Sequence, residues 1–234
     1  IRDSMEAMTA SISHEVRQPL ASIAANGSAA LRFLGHNPPN HEEVRAALNR
    51  MVNDSHRASQ VFDSIRTLFG KGDGGHEPVD LNDLVRGVLD SLHGELEDHG
   101  ITSGVELLAD VPPVMGHKGQ LQEVLINLVN NAIEAMQADA NGRRALRLRT
   151  ARQGESKVLV AVEDSGPGID PAQVDNIFDA FVTTKPEGTG LGLALCRMIV
   201  ERHAGKLSAS PAQPRGSIFQ VVLPIGHRPA ETRQ

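Results

Sequence analysis

The 234 residues are more than one compact domain usually needs, and a composition of 40% hydrophobic and 22% charged residues excludes a disordered or collagen-like chain. With 23 Lys plus Arg against 29 Asp plus Glu, a net charge of -6 and no basic block, nucleic acid is not an expected partner, and six Phe with no Trp or Tyr offer no platform for stacking bases. No apolar run reaches the roughly 18–20 residues that cross a bilayer, no signal-peptide pattern opens the chain, and the single Cys196 excludes an intrachain disulfide.

Residues 1–70 read as two long helices joined around Gly35-His36-Asn37-Pro38-Pro39-Asn40. In the second helix Val44, Leu48, Met51, Ser55, Ala58, Phe62, Ile65 and Phe69 recur in steps of four and three, a heptad seam. The first carries Ile12, Val16, Leu20 and Ile23 on one stripe, continued by Leu31 and Leu34. A lone hairpin covers one side of each stripe, so two copies are expected to pair into a dimeric four-helix bundle. At about 100° per residue, His14 lies opposite the stripe and is expected to face water. Glu15 beside it can keep one ring nitrogen protonated, which leaves the other a neutral nucleophile. Pro19 removes a backbone hydrogen bond one turn later and is expected to kink or loosen the helix.

Lys71 to Pro78 is glycine-rich and hostile to helix, and is expected to be a linker between domains. Beyond it, residues 79–225 mix elements without strict alternation. A helix is predicted over Leu81 to Glu97, a strand over Gly104 to Leu108, and a helix over Leu121 to Met136. Strands follow around Ala145 to Thr150 and Val158 to Glu163, then a helix over Leu191 to His203 and strands near Lys206 to Ala209 and Ser217 to Leu223. The pattern predicts an α+β chain whose second domain is an α/β sandwich, one helical layer on a mixed sheet. Residues 226–234 are expected to be a frayed tail.

The helix from Leu121 is the richest in chemistry. Leu121, Val124, Leu125, Leu128, Ala132 and Met136 share one face, and Glu123, Asn127, Asn131 and Glu134 the opposite one. A polar face is usually just solvated, but Asn is a poor helix former, and its carbonyl oxygen suits a hard cation such as Mg²⁺. Behind the next strand pair, Asp164-Ser165-Gly166-Pro167-Gly168 places a carboxylate at a strand end. It can accept from the amine of adenine where Gly166 and Gly168 let the backbone come close, although such a turn is often only a turn. Gly188-Thr189-Gly190-Leu191-Gly192-Leu193 leads into a helix whose free amides suit phosphates; it is neither a Rossmann nor a Walker A loop. In the preceding Phe178 to Lys185, Phe178 and Phe181 either anchor a mobile loop or serve it, and Thr184 and Lys185 are phosphate contacts or solvated surface. Cys196, between Leu195 and Ile199, reads as a packed helix cysteine rather than a redox switch.

In this order the segments resemble the sensor histidine kinases of two-component systems, from about Met5 to Leu223. His14 to Leu20 is similar to the family's H box, Asn127 to Ala132 to its N box, Asp164 to Ile169 to G1, Phe178 to Lys185 to the F box, and Gly188 to Leu193 to G2. The resemblance implies a dimerisation and histidine phosphotransfer domain joined to a Bergerat-type ATP domain. It implies Mg²⁺ on Asn131, adenine on Asp164 near the hydroxyl of Ser217, and an ATP lid over Phe178 to Thr189. A homodimer and a response-regulator partner follow from it, as does a sensor domain upstream that this chain lacks; the catalytic portion is expected in the cytoplasm. Asn127 stands where hydrolysing relatives of the fold carry a glutamate, which favours transfer to His14 over hydrolysis. Three departures stand out: Gln18 where Thr or Asn is common and phosphatase activity is at stake, His117 where Asp is common, and His203-Ala204-Gly205 for His-Gly-Gly. A conformational ATPase of the same fold, and a nucleotide-binding scaffold without kinase activity, are the alternatives.

Overall fold

The computed structural model describes the backbone of residues 2–69, 76–139, 142–180, 182–183 and 190–226; in the two long helices it describes side chains over 17–55 and at 58 and 59. Two compact units result, Ile1–Gly70 with Ala180–Leu191 and Lys71–Asp179 with Gly192–Gln234.

The first unit is built on α1 (Arg2–Leu34) and α2 (His41–Phe69). Asn40 starts α2, its side-chain oxygen accepting from the Glu43 N–H at 3.2 Å. α1 runs through Pro19 without a break. Among the described residues Ala30, Val44, Ala47 and Ala58 are buried, with Phe33 packed against the first three. Polar pairs pin the register, the Ser22 hydroxyl donating to Asp54 at 2.5 Å and the Arg50 Nε to the Asn26 side chain at 2.9 Å. Within a single hairpin the seam read from the sequence is covered in part. Ala47 is fully buried, whereas Leu48, placed on the seam, is 49% exposed and Leu31 is 71% exposed. Small residues let the two helices approach closely, and the larger ones are left on the outside.

The second unit starts with a pairing that periodicity did not reveal. β1 (Glu77–Val79) runs antiparallel to β3 (Val114–Gly116), so Glu77 and Pro78, expected in a linker, already belong to the fold. Proline is tolerated there because a two-stranded ribbon is all edge. α3 (Leu81–Ser91) is capped by Asp80, whose carboxylate accepts from the Asn82 and Asp83 N–H groups. The single helix predicted over 81–97 breaks at Leu92, where α4 (His93–Asp98) begins.

The main sheet has five strands in the order β2 (Thr102–Glu106), β4 (Ala145–Gln153), β5 (Lys157–Asp164), β7 (Ser217–Pro224), β6 (Lys206–Pro211). Only the β2–β4 pair is parallel. Central β5 reads as a nearly continuous apolar run because both its faces are covered, while β4 alternates. Over the sheet lie α3, α5 (Lys118–Gln137) and α6 (Gly192–Arg202). The apolar face predicted for α5 is buried throughout, joined by Val129 and Ile133. A polar contact ties this layer to the sheet: the Thr150 hydroxyl donates to Asn82 at 2.7 Å and accepts from the Leu108 N–H at 3.0 Å. Among the described residues, no helix is long and apolar enough to cross a membrane.

Candidate nucleotide site

At the end of β5, Asp164 is 3% exposed and paired in register with Ser217 of β7. The Gly166 N–H donates to its Oδ1 at 2.8 Å, and both the backbone and the hydroxyl of Ser217 also bond the carboxylate. Burial nevertheless wins and raises its pKa above the ordinary carboxylate value, with Glu163 adding a little to the rise. A carboxylate at a strand end can accept from a base amine.

The glycines around it are required. Gly168 has φ +89° and Gly216 φ +111°, and a Cβ on Gly168 would stand 3.1 Å from the Gly216 carbonyl oxygen. A side chain on Gly216 would run into the Asp164 carbonyl. A Cβ on Gly166 would meet the Asp164 carboxylate at 2.9 Å and Ala135 of α5 at 3.3 Å, so the turn lies directly on that helix. The Ser165 hydroxyl, which accepts from the Ala145 N–H and donates to the Arg143 carbonyl, fastens its other side.

Two turns back along α5 is the second focus. A Cβ on Gly192, the first residue of α6, would lie 2.9 Å from Asn127 Oδ1, so the start of one helix rests on the asparagine of the other. Asn131 is half-buried one turn on. Eight residues from Asn127 to Ala135 cover roughly 12 Å of helix axis. An extended nucleotide with its base at Asp164 and its phosphates at Asn127 and Gly192 fits that span.

The remaining expected residues divide. Leu193 is half-buried in the first turn of α6, Gly190 has φ +66° and Leu191 is buried. Phe178 is buried, its ring edge-on to Phe219 with centroids 6.4 Å apart, which makes it the anchor of its loop. Phe181, Thr184, Lys185, Gly188 and Thr189 lie outside the described residues, as do the side chains of His14 and Glu15; His14 lies on the backbone of α1. Gln18 is exposed. Cys196 is fully buried, its thiol 3.8 Å from the Val124 carbonyl oxygen and pushed well above the usual thiol range by burial first and Glu123 second. That is the packed cysteine expected. Asn130, next to Asn131, has its side-chain oxygen buried without a hydrogen-bond partner. Periodicity places it off the polar face, so no signal singled it out.

A mixed sheet with a single helical layer, and a buried carboxylate and a helix start lying along one asparagine-bearing helix, define the class: an ATP-binding module of the histidine kinase, gyrase and chaperone type, preceded here by a helical hairpin. Residues 116–227 match the family described as "Histidine kinase-, DNA gyrase B-, and HSP90-like ATPase", and residues 4–73 match "His Kinase A (phospho-acceptor) domain". The chain is 35% identical over 223 residues to the sensor histidine kinase TmoS of Ectopseudomonas mendocina, covering 95% of this chain and 23% of that protein. Among solved structures, the catalytic domain of histidine kinase ThkA aligns at 33% identity with a TM-score of 0.56, covering 65% of this chain and 97% of that one. ThkA in complex with the response regulator protein TrrA aligns at 26% identity with a TM-score of 0.66, covering 94% of this chain and 61% of that one. The chain belongs to the sensor histidine kinases of two-component systems. It spans less than half the length of the curated relatives it matches.

Proposed function

We propose that the chain is the catalytic core of an ATP-dependent protein-histidine kinase. The neutral imidazole of His14, oriented by Glu15, attacks the γ-phosphate of ATP; the phosphoryl group leaves ADP and later passes to an aspartate of a response-regulator receiver domain. The observation that carries this reading is the join between the Asp164 pocket and the Asn127–Gly192 end along one helix, on a chain that also carries a phospho-acceptor hairpin. Phosphoryl transfer needs mostly alignment and charge compensation, and Asn127 in place of an acidic base leaves no strong activator of water at that position.

Mg²⁺ would be held by Asn131 together with the nucleotide's own phosphates, where it neutralises charge building up on the transferring group. Thr184, Lys185 and Thr189 supply further phosphate contacts from the lid. The exposed Leu20, Leu31, Leu48 and Val52 of the hairpin meet a second copy in a four-helix bundle. ThkA, whose structure holds a response regulator, supports a partner of that kind here.

Incubation with γ-labelled ATP tests the assignment. Label that is acid-labile and alkali-stable, and absent from His14→Gln, is the expected result; label that persists in the variant or survives acid refutes His14 as acceptor. Release of inorganic phosphate without labelled protein would instead mark a conformational ATPase.

A further inference from the structure

Three imidazoles meet where the β1–β3 ribbon touches the start of α5 and the end of α6. His76 stands 4.6 Å from His117 and 5.6 Å from His203 between ring centroids, and His117 stands 6.1 Å from His203. A metal centre is ruled out by geometry among the described residues, and by the fact that both nitrogens of His203 are taken.

Those two bonds determine what His203 is. Its Nδ1 lies 2.7 Å from the Ile199 carbonyl oxygen, which can only accept, so Nδ1 carries the proton. Its Nε2 is then a bare acceptor and receives the His117 N–H at 3.0 Å. His117 is the residue that opens α5; its side chain makes no capping bond, and its carbonyl accepts the first bond of the helix, from the Leu121 N–H. The peptide that starts α5 is therefore held by a ring 86 positions away in sequence. The ring has no room to shift toward the ribbon: a Cβ on Gly116 would lie 2.5 Å from its Cδ2. α5 and α6 thus run antiparallel with three points of contact, His117 with His203, Val124 with Cys196, and Asn127 with Gly192.

We propose that His203 is a positioning residue for nucleotide binding: as a neutral ring it holds the start of α5 against the end of α6, and so sets where Asn127 and Asn131 stand. This rests on the nucleotide reading above. A second proton on Nε2 would turn the acceptor into a donor facing the His117 N–H, and would add positive charge at the positive end of α5. The ionisable groups that act on His203 are His117 at the start of α5 and His76 before β1. Burial first, then these two rings, lower its pKa below the ordinary 6.5, against the bond to Ile199. The folded chain binds this proton less readily than the unfolded one, so the latch is complete at neutral pH and is lost as pH falls below the ordinary histidine range.

The test measures ATP affinity and His14 labelling across pH 5–8 in the full chain, comparing wild type with His203→Leu and His203→Gln. The Leu variant leaves the His117 N–H buried without a partner, and the expected result is a KM for ATP raised about tenfold with kcat moved less. The Gln amide returns an acceptor near Nε2, so affinity should recover to within about threefold of wild type, and the acid loss seen in wild type should shrink. Nitrogen NMR should show Nε2 of His203 unprotonated at neutral pH. Should the Leu variant fail to fold, the Gln variant decides: the same acid profile as wild type overturns the proposal. ATP binding indifferent to both substitutions overturns it alone, whereas no ATP binding by wild type brings down the nucleotide reading as well.

Discussion

The two halves of the chain bury their apolar side chains in opposite ways. In the α/β unit Leu128, Val129, Leu148 and Val160 are sealed by the chain itself, between one helical layer and a five-stranded sheet. Among the described residues of the hairpin, Ala30, Val44, Ala47 and Ala58 are buried, while Leu20, Leu31, Leu48 and Val52 stand about half or more exposed. Two helices can cover only one stripe each, and a small-residue seam uses that stripe without the larger leucines. The α/β unit therefore closes its own core, whereas a single hairpin leaves large apolar side chains uncovered.

Four variants press on that contrast. The largest effect is expected from Leu31→Glu combined with Leu48→Glu, which should shift the chain from dimer to monomer in sedimentation at micromolar concentration and leave ATP affinity unchanged; a dimer that persists would show that the exposed leucines are not the interface. Next, Leu128→Ala should lower the unfolding free energy of the α/β unit by about 2–5 kcal/mol in a denaturant titration, without weakening association. Third, Asp164→Asn should cost roughly 10–100-fold in ATP affinity by calorimetry, through the lost bond to a charged acceptor.

The same substitution carries a pH signature. Because the folded pKa of Asp164 is raised, the folded chain binds that proton more readily than the unfolded one. Its contribution to stability is therefore full at low pH and lost as pH rises through the folded pKa. Thermal melts should accordingly find Asp164→Asn more stable than wild type near pH 7, an advantage that fades in acid; a variant less stable at neutral pH would mean its hydrogen bonds outweigh its burial. The smallest effect concerns the end of α6. Gly205 and Ala204 donate to the carbonyls of Val200 and Glu201, which closes a Schellman turn with Ala204 at φ 53° where glycine is usual. Ala204→Gly should raise stability by about 1 kcal/mol, seen as a Tm increase of roughly 2–4 °C.

Much of the site was legible before any coordinates. The polar and apolar faces of α5, the carboxylate behind β5 and the glycines flanking it followed from spacing and residue type. What escaped was non-local. The β1–β3 ribbon is three residues a side, too short for periodicity to show, and it reclassified Glu77 and Pro78 from linker to strand. The break at Leu92 has no proline to announce it, and Gly94 nearby falls inside α4. A heptad count also cannot tell which of two adjacent stripes faces the sister helix, and within one chain Ala47 is buried while Leu48 stays exposed.

By itself the amino-acid order determined the longer elements, the apolar faces and the residue types capable of holding a nucleotide, since these depend on neighbours a few positions apart. Only the tertiary structure decided that Gly192 rests on Asn127, that Asp164 is sealed between Gly166 and Ser217, and that His203 holds the start of α5. Those contacts join residues tens of positions apart, and packing, rather than any local preference, brings them within hydrogen-bonding distance.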